Sequence, residues 1–168
     1  MARRTIFPAL AVAMSGVLAA CGQVRAEPVA LEALVRDFYP GWTVQQGVEE
    51  SCDRGAQPAV SGDFNGDGQP DHAARLVRGD RGLIVAFVST RAGYSRIVLE
   101  EDSQQAILHQ ALDLVRRGSR HDIIQEDATI PRRPMVLANE APAGGTCEAS
   151  SYVYVIDGTR VTRAFTSD

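Results

Sequence analysis

Lysine is absent from this 168-residue chain: all 17 basic residues are arginines, set against 21 carboxylates for a formal net charge of −4. That balance argues against non-specific nucleic-acid binding, which needs a basic surface. Aromatic residues are scarce, 6 % of the chain, so the core must be built mainly from Val, Leu, Ile and Ala. There are three histidines and three cysteines, an odd number of thiols that pairing within the chain cannot use up. Internal repeats and low-complexity blocks are missing too. The 45 % hydrophobic and 23 % charged residues that remain exclude a disordered or fibrous chain and suit one domain behind a removable leader.

The N-terminus supplies that leader. Arg3 and Arg4 precede an apolar run from Ile6 to Ala20. A positive start followed by roughly 15 apolar residues is the pattern of a secretory signal, and it falls short of the ~20 residues that a membrane-spanning helix needs. No polar residue alternates along the run, so it does not read as an amphipathic, buried N-terminal helix. Removing Arg3 and Arg4 takes the net charge to about −6.

The run closes on Leu18-Ala19-Ala20-Cys21-Gly22, and here the chain resembles a bacterial lipoprotein, matching the lipobox residue for residue. The resemblance implies a diacylglyceryl group on the Cys21 thiol, cleavage before Cys21 and acylation of the new amine. It therefore implies palmitate labelling and a permanent hold on the bilayer. One chain anchors only marginally at about 0.8 kcal/mol per buried methylene, but three should hold. Gly22, rather than Asp, follows Cys21, which by the enteric sorting pattern implies the outer membrane, facing the periplasm. The competing expectation is plain secretion with cleavage after Ala26. With Cys21 acylated, Cys52 and Cys147 remain, a pair expected to form a disulfide in an oxidising compartment. It would close a loop of about 95 residues, worth up to about 4.7 kcal/mol on the chain-entropy model. Two free thiols are the alternative, and no third thiol is left for a cysteine-based zinc site.

Residues 21–27 form a short tether. Pro28 is placed to open a helix lined by Leu31, Leu34, Val35 and Phe38 and ended by Pro40-Gly41. Strands are expected over 59–61, 73–78, 83–90 and 94–99. Leu83 to Thr90 is apolar on both faces (Leu83, Val85 and Phe87 against Ile84, Ala86 and Val88), as a central strand covered on each side should be. Residues 103–117 fit a helix capped by Ser103 or a strand, with the strand favoured over 110–116. Pro131, Pro134, Pro142, Gly144 and Gly145 mark an irregular region. Tyr152–Ile156, Asp157-Gly158 and Arg160–Phe165 read as a closing hairpin.

The stretch with chemistry is Asp63-Phe64-Asn65-Gly66-Asp67-Gly68-Gln69-Pro70-Asp71. Oxygen side chains at positions 1, 3 and 5, glycine at 6 and a carboxylate at 9 are what a calcium loop needs, with the Gln69 carbonyl at position 7. Position 12 is Ala74 rather than Glu, and the flanks read as strands, so this is not an EF-hand. The loop resembles instead the strand-flanked loops of FG-GAP and VCBS repeats, which implies Asp63, Asn65, Asp67 and Asp71 as ligands; a single copy carries no propeller fold with it. More widely, the chain is similar to small uncharacterised bacterial proteins with one such loop before a β-meander and a Tyr-rich closing hairpin. An ion-free, Asx-rich turn is the alternative. The fold expected is α+β and β-rich: an N-terminal helix, an antiparallel meander carrying the calcium-type loop, and a C-terminal hairpin, in one domain over 28–168 after leader 1–20.

No nucleophile motif accompanies His72, His109 or His121. His72 is expected as an exposed strand residue or an accessory ligand, His121 in a turn, His109 at the surface. Glu49-Glu50 and Glu100-Glu101-Asp102 read as solvated faces, and Arg116-Arg117 and Arg132-Arg133 as charge-balancing surface. The function expected is that of a non-enzymatic envelope lipoprotein whose domain binds calcium and an envelope protein or glycan. A periplasmic inhibitor of a cell-wall hydrolase and a calcium-supported hydrolase are the alternatives.

Overall fold

The computed structural model describes residues 30–46, 57–123, 133–146 and 150–166. The leader, Cys21 and its tether, Pro28, Cys52 and Cys147 lie outside these residues, and with them the expectations of an acylated thiol and of a disulfide. The elements begin with helix α1 (Leu31–Phe38) and strand β1 (Thr43–Val44). Strands β2 (Ala59–Gly62), β3 (Asp71–Arg78), β4 (Arg81–Thr90) and β5 (Gly93–Ser103) follow, then helix α2 (Gln104–Leu108) and β6 (Gln110–Val115). The remainder is β7 (Arg120–Ile123), β8 (Arg133–Val136), β9 (Ala141–Thr146), β10 (Ser150–Asp157) and β11 (Arg160–Thr166). The protein is β-rich and its sheets are antiparallel.

Strand β4 lies between β3 and β5 in the first sheet, where β1 and β2 also pair with β3. Its two apolar rows serve two cores, as side-chain alternation requires. Leu83, Val85 and Phe87 meet Leu34 and Val35 of α1, while Ile84, Ala86 and Val88 meet Leu112 and Ile156 of the second sheet. That sheet runs β6-β9-β10-β11-β7-β8, and Val153, Leu137 and Ala141 form a third, smaller core on its other side. Helix α1 carries Glu32 in its first turn and Arg36 in its last, charges that suit the helix dipole.

The ambiguous stretch 103–117 contains both structures. The Ser103 hydroxyl caps α2 by accepting from the Ala106 amide, α2 lasts five residues, and β6 follows after His109. The proline-rich stretch expected to be irregular contains two strands where it is described, β8 with Pro134 and β9 with Pro142, and only 137–140 between them lacks strand structure. Pro142 stands opposite Leu114 of β6, while β9 pairs with β10 only from Ala143 onward, so no β10 carbonyl needs a proton from it. Gly144 stands opposite Tyr152, and a Cβ there would lie 2.6 Å from the Tyr152 ring. The glycine makes room for the aromatic side chain.

Candidate functional site

Residues 63–70 close the β2–β3 hairpin, whose last pair is Gly62 with Asp71. Side chains on alternate residues fold back onto the loop. The Asp63 carboxylate accepts from the amides of Gly66 (2.7 Å) and Gly68 (3.0 Å), the Asn65 amide oxygen from Asp67 N–H (2.9 Å), and Asp67 Oδ1 from Gln69 N–H (2.8 Å). Gly66 and Gly68 have φ of 80° and 77°, left-handed values that other residues rarely adopt. Asp63 and Asn65 are half-buried; Asp67 and Gln69 are exposed.

Strand β4 fastens this turn from one side. Ser89 donates its hydroxyl to Asp67 Oδ2 (2.9 Å), its amide to Asp71 Oδ1 (2.7 Å), and accepts at its carbonyl from Asn65 Nδ2 (2.9 Å). Asp71 also accepts at Oδ2 from the amides of Phe64 (2.7 Å) and Asn65 (3.2 Å), and is 0 % exposed. Burial raises the Asp71 carboxyl above its ordinary pKa, outweighing the bonds from Ser89, Phe64 and Asn65. For Asp67 the balance is reversed. Desolvation pushes it up, but the Gln69 amide, the Ser89 hydroxyl and Asn65 together bring it below the usual range.

The second sheet grips the loop from the other side. Glu140 Oε2 accepts from the Asp63 amide (3.0 Å) while its Oε1 accepts from Arg116 Nη1 (2.7 Å). Asn139 Nδ2 donates to the Phe64 carbonyl at 3.4 Å, and the Phe64 ring enters the core between the sheets. A cavity of about 290 Å³ adjoins this contact, lined by Phe64, Asn139, Glu140, Val155 and Asp157 among others. Among the described residues, no group of three or more His, Cys, Asp or Glu side chains stands where it would hold a metal ion. The donors that the loop itself offers are hard oxygens: the half-buried or exposed carboxylates of Asp63 and Asp67, the Asn65 amide and the backbone.

Two of the three histidines, His72 and His121, depart from expectation. His72 is 8 % exposed rather than open to solvent; alternation along β3 turns it away from Asp71, toward Tyr94, whose ring centroid is 6.0 Å away. Ser61 Oγ lies 2.7 Å from His72 Nδ1, while the buried Nε2 has no hydrogen-bond partner. No carboxylate therefore orients this ring as in a Ser-His-Asp triad. Burial keeps its pKa below the ordinary value against the pull of Asp71 and Glu32. His121 lies in β7 rather than in a turn.

No protein family, curated protein or solved structure matches the chain.

A polar cluster between the sheets was not visible in the sequence. Glu100 accepts from Tyr154 Oη (2.7 Å) and Gln110 Nε2 (2.6 Å), and Tyr152 Oη donates to Gln110 Oε1 (2.7 Å). Tyr152 and Tyr154 are both raised by burial and by Glu100, Tyr152 to about 12, so both remain protonated donors. Glu100 is thus not part of a solvated face. A bulge opposite Ile84 and Val85 breaks the alternation of β5 and turns it inward beside Leu99.

Proposed function

We propose that the chain is a non-enzymatic lipoprotein of the bacterial envelope, fastened through acylated Cys21, whose β-rich domain binds calcium in loop 63–71 and serves as an interaction module. An envelope protein or glycan is its partner. The observation that carries the reading is the loop itself: Asp63, Asn65 and Asp67 offer hard oxygens from alternate residues of one tight turn. With the carbonyl of Gln69 they form a donor set that suits calcium, and water completes the shell. The ion neutralises the paired carboxylates and fixes the turn.

A site of extracellular type binds with a Kd of about 0.1–1 mM. At ten times that value the ion adds about 1.4 kcal/mol of stability. Calcium is therefore expected to raise the melting temperature of the wild-type protein by a few degrees over its value in chelator, and to leave Asp67→Ala unmoved. An equal rise in both proteins would refute the loop as the site.

A further inference from the structure

Resting on that reading of the loop, we propose that Asp71 is a positioning residue and not a calcium ligand, although its place at the ninth position of the motif suggests coordination. Its carboxylate ties two backbone segments together through three amides: those of Phe64 and Asn65 meet Oδ2 at 2.7 and 3.2 Å, and that of Ser89 meets Oδ1 at 2.7 Å. Two donors saturate the lone pairs of Oδ2. Oδ1 keeps one lone pair, but the residue is 0 % exposed, so a hydrated cation reaches it only by dismantling the contact. Asp63 and Asp67, by contrast, are accessible to some degree.

The carboxylates thus divide their work. Asp63 and Asp67 face the ion, and Asp71 fixes the loop entry on β4. Ser89 completes the arrangement, because the residue that donates its amide to Asp71 Oδ1 also holds Asp67 by its hydroxyl and Asn65 by its carbonyl. Asp71→Asn is isosteric but places an N–H₂ group against amides that need an acceptor, so it injures the scaffold whether or not an ion is present.

The test compares Asp71→Asn with Asp67→Asn in the full-length protein in detergent, by melting in chelator and by calcium titration. Asp71→Asn is expected to lower the melting temperature equally in chelator and in calcium, with the calcium Kd changed less than threefold. Asp67→Asn should lose less stability in chelator than Asp71→Asn, because Asp67 is exposed and the Ser89 hydroxyl can turn to accept from the new amide, and should bind calcium at least tenfold more weakly. A variant Asp71→Asn that melts normally in chelator but loses calcium binding would make Asp71 a ligand and overturn the proposal. If it does not fold, hydrogen exchange on the wild type decides. Slow exchange at Phe64, Asn65 and Ser89 in chelator supports the scaffold; fast exchange there that calcium abolishes refutes it. A wild type that binds no calcium removes the proposed ion, and the chelator measurements still judge Asp71.

Discussion

Gly144 shows how one absent side chain can fix a partner's position. Tyr152 leans across it from the neighbouring strand to reach Gln110, and a methyl group there would meet Cε2 at 2.6 Å and Cζ at 3.1 Å. Overpacking of this kind costs about 1–3 kcal/mol. Gly144→Ala is expected to lose that much in chemical denaturation, and a loss below half a kcal/mol would show that the ring simply moves aside. Glu100 illustrates the opposite situation. Its sequence neighbours Glu101 and Asp102 suggest a solvated run, yet its side chain serves Tyr154. Nothing in the run distinguishes the three, because the cause is a bulge set by pairing with β4.

Among the elements, the contact between loop 63–71 and the segment before β9 depends on one carboxylate. Glu140 is held below the usual pKa by the hydrogen bond from Arg116 and then by the Asp63 amide, against a smaller desolvation. Because the folded value is depressed, its stabilisation is complete above the ordinary value of about 4.3 and is lost as pH falls through the folded one. Melting temperatures followed from pH 6 to pH 3 should therefore fall more steeply for wild type than for Glu140→Gln once below about pH 4.3. Parallel curves would remove this contact from the acid response. The elements that were legible in the sequence are those with period-two patterns. The two apolar rows of β4 predict a covering on each face, and that is how they pack. The hairpin of β10 and β11 closes at Asp157 opposite Arg160, close to the expected turn. Strands β8 and β9 were not legible, because prolines and paired glycines suppress the propensity that a local reading uses. Their strand form comes from partners: β6, which supplies every residue from Gln110 to Val115 to β9, and β7, which pairs with β8. In the loop, donor spacing was legible but the roles were not, since the burial of Asp71 depends on Ser89, 18 residues away.

Taken whole, the molecule is a stack of α1, the first sheet and the second, with hydrophobic side chains at both junctions. Among the described residues, no helix is long and apolar enough to cross a membrane. The proposed attachment is through Cys21. Cys21→Ala is expected to abolish palmitate labelling and to release the protein from the membrane fraction. Labelling that persists in this variant would refute acylation at that thiol.

The bond between Asp63 and Glu140 joins residues 77 apart in the chain. A polypeptide that emerges from the ribosome N-terminus first delivers the 63–71 turn long before the carboxylate that closes over it. Its mature shape therefore waits on the last quarter of the chain, and a product interrupted before residue 140 would carry every donor of the turn but only one of its two clamps.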